Sequence, residues 1–140
     1  MKKILVYLMM LFFVSLLTAC GGSNETTLSE DEKDAVLAFS EAKTDNLLAG
    51  MNTNDYAAFS KDFDQAMLSA MSQGEFEKLK KDRDAKLGQY VSRQVNKVTQ
   101  SGDYVTVIYD AVFENDDAVT VRVVFRVDDP HEVSGLWFNK

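Results

Sequence analysis

Two runs of alternating apolar residues near the carboxyl end constrain the fold of this chain more than any other feature. In each run the apolar residues occupy every second position, which is the pattern of a strand with one buried and one wet face. The predicted buried faces are Val105, Val107, Tyr109, Ala111 and Phe113 in the first run, and Val119, Val121, Val123, Phe125 and Val127 in the second. Because both sets occupy odd positions, they share one face of a hairpin only if the loop has an odd number of residues. We therefore predict a three-residue loop at Asn115, Asp116 and Asp117, which all favour turns.

Two weaker strand patterns flank this hairpin. Residues 89–100 alternate less regularly and carry many polar side chains, as expected for a strand at the edge of a sheet. Residues 133–138 end in an apolar cluster that is expected to close the core. Turn-forming residues at 101–103 and 128–131 separate these runs from the hairpin. The four strands are therefore predicted to pair in chain order as an antiparallel meander.

Capping motifs predict that helices precede the sheet. Ser29 with Glu32 and Ser72 with Glu75 have the spacing of capping boxes, in which a hydroxyl and a carboxylate satisfy free amides at a helix start. The first helix is expected to end at Gly50. Helices followed by a meander, without alternating βαβ units, indicate an α+β fold with N-terminal helices packed on a four-stranded sheet.

The first nineteen residues have the pattern of an export signal. Two lysines precede an apolar run that is shorter than the ~20 residues needed to span a bilayer. The run ends in Leu17, Thr18, Ala19 and Cys20, and this tetrapeptide resembles the lipobox of bacterial lipoproteins. The resemblance implies that the thiol of Cys20 receives a diacylglyceryl group and that cleavage makes Cys20 the first residue.

Cys20 is the only cysteine of the chain, so no disulfide within the chain is possible. Two or three fatty acyl chains, such as palmitate, would hold the protein durably at a membrane. The alternative is an ordinary signal peptide with a chance cysteine near the cleavage point. The expected organisation is a signal peptide at residues 1–19, a lipidated cysteine with a flexible linker at 20–28, and one domain at 29–140. The expected location is the extracytoplasmic side of a membrane in the cell envelope.

The net charge argues against one class of partner. Removal of Lys2 and Lys3 with the signal leaves 13 basic residues against 22 acidic ones, a net charge of −9. A body this acidic repels nucleic-acid phosphates and anionic lipid headgroups. We therefore expect no nucleic-acid partner, and contact with the membrane only through the lipid anchor.

The sequence holds few candidates for catalytic chemistry. His131 is the single histidine and follows Pro130 in a predicted turn, so an exposed spacer is expected rather than a general base. Asp110 lies within a strand but points away from its apolar face by parity, where it could pair with Arg122 or Arg126. Metal-ligand spacings and glycine-rich phosphate loops do not occur. No catalytic residue, metal or cofactor is therefore predicted.

Four short motifs give the chain a resemblance to a known family. They are Asp55 and Tyr56 with Phe59, and the stretches at residues 87–90, 111–114 and 135–138. In this order and spacing they resemble a prokaryotic domain of unknown function (DUF3887) with a fold like nuclear transport factor 2 (NTF2), in the cystatin-like superfamily. The resemblance implies a curved sheet wrapped round helices into a cone. It also implies exported or lipid-anchored members, and it supplies no catalytic residues.

A predicted lipid anchor, combined with a lack of recognisable catalytic or metal-binding motifs, favours a non-catalytic domain. Such a domain would bind an envelope protein or a small apolar ligand. Two alternatives stay open. One is a small exported hydrolase or isomerase acting on an apolar substrate, which requires a cavity with a buried, hydrogen-bonded Asp or Tyr that has a perturbed pKa. The other is an inhibitor or immunity-type protein that uses the sheet edge or the hairpin at residues 115–117. A homodimer through the half-polar outer face of the sheet is also open.

Any pocket is expected to be lined by residues that otherwise form the core, namely Tyr56, Phe59, Phe63, Met67, Tyr109, Phe113 and Phe125.

Overall fold

The computed structural model describes residues 24–140, which form helices on one face of a sheet. The helices are α1 (Glu30–Thr53), α2 (Tyr56–Ser60), α3 (Gln65–Ala70) and α4 (Gln73–Lys86). The strands are β1 (Thr26–Thr27), β2 (Tyr90–Ser101), β3 (Tyr104–Phe113), β4 (Asp116–Arg126) and β5 (Val133–Asn139). Helices followed by an antiparallel sheet confirm the predicted α+β class. The signal, Cys20 and the rest of the lipobox lie outside the described residues.

The sheet has five strands in the order β1-β2-β3-β4-β5, with antiparallel neighbours throughout. The predicted count of four strands is therefore wrong. The additional strand lies in the segment expected to be a linker, where Thr26 and Thr27 pair with Gln100 and Thr99. Leu28 follows in the core, with an exposure of 6%. Residues 89–100 had been expected to form an edge strand. Because β1 pairs with the end of β2, β2 is an edge strand along only part of its length.

The β3–β4 hairpin reaches the expected parity by a different route. Phe113 pairs with Asp116 across a two-residue turn, whereas Ala111 pairs with Val119. Strand β4 therefore has one residue more than β3 between these pairs, which is a β-bulge. The predicted three-residue loop is wrong, because the bulge supplies the odd residue within the strand. The predicted inward residues of both strands are buried except Val127, which follows the end of β4 and is exposed.

Helix α1 begins at the predicted cap and ends later than predicted. The Ser29 hydroxyl accepts a hydrogen bond from the Glu32 amide, and the Glu32 carboxylate accepts one from the Ser29 amide at 2.8 Å. The helix continues past Gly50 and ends where Asn54 takes the left-handed conformation, with φ of 58°. Gly50 serves packing instead, since a Cβ at this position would lie 2.5 Å from the backbone nitrogen of Phe59 in α2.

A short extended segment before α3 joins the outer edge of β5. The Asp64 amide donates to the Val133 carbonyl at 2.9 Å, and the Val133 amide donates to the Asp62 carbonyl at 2.7 Å. These two bonds place Phe63 beside Val133 as a parallel bridge. The chain then turns away, because the Asp64 carboxylate caps α3 by accepting from the Met67 amide at 2.7 Å. Only the start of β5 is covered in this way.

Candidate interaction site beside strand β5

A groove with a volume of about 320 Å³ opens between helix α4 and strand β5. Its apolar floor consists of Leu79, Leu87, Leu136 and Phe138. Its walls are completed by Asp82, Arg83 and Lys86 from α4 and by Trp137, Asn139 and Lys140 from the end of the chain. Ligand pockets of roughly 300–1,000 Å³ are typical of small-molecule sites, so this groove is at the small end and matches one or two apolar side chains.

Trp137 is the largest side chain on the rim of this groove, and it is 49% exposed. It pairs with Arg122 of β4, which places both residues on the sheet face opposite the core. A Cβ at position 135 would lie 2.3 Å from the indole ring, so the ring occupies the space that Gly135 leaves. Packing therefore positions the indole while about half of its surface faces solvent. Tryptophan and arginine are also the residue types enriched at the energetic centres of protein interfaces.

The helical wall of the groove is fixed by a buried arginine. Arg83 is 3% exposed, and its Nη1 donates to Asn52 Oδ1 at 2.8 Å while its Nε donates to Asp84 at 3.0 Å. Asn52 in turn accepts from the Tyr90 amide at 3.0 Å and donates to the Tyr90 carbonyl at 2.8 Å. Burial alone would raise the pKa of Asp84, but hydrogen bonds from Lys80 and Arg83 outweigh burial and lower it. Arg83 thus joins α4 to α1 and to the start of β2.

The residues predicted to line a pocket pack into the core. Six of them are at most 8% exposed, and Tyr56 is half-buried with its hydroxyl bonded to the Met71 carbonyl at 2.9 Å. The centroid of the Phe59 ring lies 5.0 Å from that of Phe63 and 4.6 Å from that of Phe76. None of the seven lines the groove beside β5.

A second, smaller hollow of about 190 Å³ is lined by His131 and Phe39 among other residues. The two rings stack with centroids 3.9 Å apart, and His131 Nδ1 lies 3.3 Å from the Arg126 carbonyl. His131 does lie in a turn, but it is half-buried rather than the exposed spacer that was expected. Stacking on Phe39 explains the burial.

Asp110 is exposed on the outer face of the sheet, as its parity predicted. Its carboxylate accepts from Asn96 Nδ2 at 2.8 Å, not from the arginines proposed as partners. Arg126 instead binds Asp128 at 2.8 Å. The neighbouring strand β2, rather than β4, therefore supplies the partner of Asp110.

A polar cluster between α1 and the sheet was not anticipated. The Tyr109 hydroxyl donates to Glu41 at 2.8 Å and lies 3.2 Å from the hydroxyl of Thr44. Arg93 donates to the other Glu41 oxygen at 3.0 Å, pairs with Asp45, and lies 4.9 Å from the centroid of the Tyr109 ring. The residues of α1 and their partners in the sheet are 48 to 68 positions apart in the chain, so local patterns did not reveal these contacts.

Electrostatics in this cluster favour a structural role. Burial raises the pKa of Tyr109 from 10 to about 12, and the bond to Glu41 adds to the shift. Burial would lower the pKa of Arg93, but bonds to Asp45 and Tyr90 and the charge of Glu41 outweigh it and raise the pKa. Tyr109 matches the buried, hydrogen-bonded tyrosine with a perturbed pKa that the enzyme hypothesis requires. It lines neither of the two hollows described above, however, and the cluster holds α1 against β2 and β3.

A family model described as a protein of unknown function, DUF3887, matches residues 44–136, which is more than half of the chain. The chain belongs to this family. The matched region of this DUF3887 protein runs from the middle of α1 into β5, so it includes the helical wall of the groove and ends one residue before Trp137. No curated protein and no solved structure matches the chain. Within residues 24–140, no helix has the length and apolar character needed to cross a membrane.

Proposed function

We propose that this DUF3887 protein is a lipoprotein whose domain is a non-catalytic interaction module, held through Cys20 at the extracytoplasmic face of a membrane. The observation that carries the interaction role is the contrast between a packed interior and the open groove with Trp137 at its rim. An aromatic side chain that is half exposed beside an apolar depression is typical of a site that a partner covers. The lipobox at Leu17–Cys20 supports the location.

The proposal includes the shape of the domain. We infer an NTF2-like cone, in which a curved sheet wraps round the helices. Register shifts in the β2–β3, β3–β4 and β4–β5 pairs support this shape, because bulges bend strands and increase their twist. A crystal structure with a flat sheet would contradict it.

Metabolic labelling tests the anchor. Cells expressing the full chain are grown with labelled palmitate, and the protein is followed by gel fluorography and membrane fractionation. The expected result is label in a protein that lacks residues 1–19 and sediments with membranes. A Cys20→Ser variant is the matched control and should take up no label. Unlabelled wild-type protein that keeps residues 1–19 would contradict the anchor.

Site-directed photocrosslinking tests the interaction role. A photoreactive residue replaces Asn139, which is exposed on the groove, or Gln94, which is also exposed but lies on β2, three strands away from β5. In intact cells, the expected result is one discrete adduct from position 139 and none from position 94. Adding Trp137→Ala to the position-139 protein should abolish the adduct. The same adducts from both positions would contradict a specific site.

A further inference from the structure

We propose that the partner of this module binds as an added β-strand along the open edge of β5, with an apolar side chain in the groove. The inference rests on the interaction function proposed above and names the partner chemistry. The partner is an extended segment of another protein, neutral to basic in charge, with apolar residues at alternate positions.

The backbone of β5 supplies the first argument. β5 is the last strand of the sheet order, and among residues 24–140 no strand lies beyond it. In an antiparallel ladder, alternate residues turn their N–H and C=O groups away from the neighbouring strand. Residues 135–139 therefore present backbone donors and acceptors on the side away from β4, where a further strand would pair.

The chain itself already uses this edge in the same manner. The Asp62 carbonyl and the Asp64 amide bind both backbone groups of Val133, at 2.7 and 2.9 Å. This contact shows that an extended segment approaches β5 to full hydrogen-bonding distance from the outside. The backbone pairing stops at Val133, where Asp64 caps α3 and its second carboxylate oxygen accepts a hydrogen bond from the Ser134 hydroxyl. The remaining edge continues directly from a site that is already occupied by strand-like backbone.

The groove gives the added strand a side-chain preference. Leu136 and Phe138 share the inner face of β5, and they line the groove together with Leu79 of α4 and Leu87, which follows that helix. Side chains of an added strand alternate between the two faces, so every second one enters this apolar space. The intervening side chains lie on the outer face, on the side of Trp137. Alternating apolar and small polar residues therefore fit best.

The net charge of the domain favours a segment of another protein over a second copy of this chain as the partner. Residues 24–140 carry 13 basic and 22 acidic side chains, a net charge of −9, so two copies repel each other. The cations on the groove rim are already paired, Lys86 with Asp82 and Lys140 with Asp116. These paired cations do not favour an acidic partner. The negative net charge of the domain favours a neutral or basic one.

Peptide binding tests strand addition directly. The probe is a fluorescein-labelled peptide, Lys-Thr-Leu-Thr-Leu-Thr-Leu-Lys, added to the full-length lipidated protein in detergent micelles and followed by fluorescence anisotropy. Two further peptides carry N-methyl groups on all leucines or on all threonines, which removes the donors from one edge or the other. Only one edge can pair with β5, so the two methylated peptides should differ in affinity at least tenfold. Equal binding by both, or no binding of the unmethylated peptide, would overturn the proposal.

Hydrogen exchange and variants complete the test. Peptide binding should slow exchange of backbone amides within residues 135–139, and Trp137→Ala should weaken binding about fivefold or more. Val91→Ala, at an exposed apolar residue on β2, three strands away from β5, should leave affinity unchanged. Protection of residues 135–139 that is present without peptide and disappears on dilution would overturn the proposal in favour of a second copy. An adduct from position 139 with no peptide-dependent protection would overturn strand addition while leaving the interaction function intact.

Discussion

The interior face of the sheet and the edge of β5 use similar side chains in opposite ways. On the interior face Tyr109 and Phe125 are fully buried, and helices cover them. At the edge, Trp137 is half exposed beside an apolar groove. The difference has two causes. Tyr109 and Phe125 lie on the face that the helices cover, whereas Trp137 lies on the outer face. In addition, β3 and β4 have a strand on both sides, whereas β5 has β4 on one side and only the Phe63 bridge and helix α3 on the other. An aromatic residue thus stabilises the fold in one place and is available to a partner in the other.

The largest expected effect is at the centre of the interior. Phe59→Ala removes a ring that is 1% exposed and contacts Phe63 and Phe76, so the free energy of unfolding should fall by about 3–5 kcal/mol. Urea unfolding measures the change. Leu68→Ala, at an exposed site on α3, is the control and should cost less than about 1 kcal/mol. A cost for Phe59→Ala as small as that of the control would mean that Phe59 borders an open pocket after all.

The second-largest effect is expected from Tyr109 in the interior, which should make the free energy of unfolding depend on pH. Below pH 10, Tyr109 is protonated in both the folded and the unfolded protein. Between pH 10 and about 12 the unfolded protein loses this proton while the folded protein keeps it, because the folded pKa is raised to about 12. The free energy of unfolding should therefore fall by about 1.4 kcal/mol per pH unit, roughly 2–3 kcal/mol in total.

Comparison of two variants isolates this effect. Tyr109→Phe should lack this part of the decline between pH 10 and 12, measured by urea unfolding at each pH. Tyr104→Phe, at an exposed tyrosine, should retain it. Identical profiles for both variants would show that the Tyr109 hydroxyl reaches solvent.

A smaller effect is expected where the groove wall joins the interior. Asn52→Ala removes the acceptor of buried Arg83 and the bonds to the Tyr90 backbone, which should cost about 2 kcal/mol. The same change should speed amide exchange of Tyr90. Thr53→Ala, at an exposed neighbour whose hydroxyl bonds only within its own helix, serves as the control. Equal costs would mean that the groove wall does not depend on the joint.

The smallest effect on stability is expected at the edge. Trp137→Ala should lower the free energy of unfolding by less than about 1 kcal/mol, because about half of the side chain is already in water. Thermal and urea unfolding measure this change, and the photocrosslinked adduct should disappear in the same variant. A stability loss as large as that of Phe59→Ala would place the indole in the core and remove the contrast between the two regions.

Much of the fold could be predicted from local patterns. Period-two alternation predicted the inward residues of β3 and β4, and nine of the ten are buried. The Ser29 cap has the predicted reciprocal bonds, and Ser72 begins α4 as predicted, with its hydroxyl accepting from the Glu75 amide at 3.4 Å. Such features depend on residues a few positions apart, so the sequence carries them directly.

The candidate site could not be predicted in the same way. Trp137 was expected to help close the core, but it lies on the outer face of the edge strand β5 and is half exposed. The groove needs α4 and β5, which lie about fifty positions apart, to be brought together. The polar cluster of Glu41, Arg93 and Tyr109 likewise joins three separate elements.

By itself, the sequence determined that helices precede the four longer strands, the face that each central strand buries, and the helix caps at Ser29 and Ser72. Those properties follow from steric and hydrogen-bonding preferences of neighbouring residues. Only the tertiary structure decided that Thr26 and Thr27 add a fifth strand, that a bulge replaces a longer loop, and which aromatic rings are covered. These outcomes depend on which distant surfaces meet, and a surface is buried only when another part of the chain packs on it.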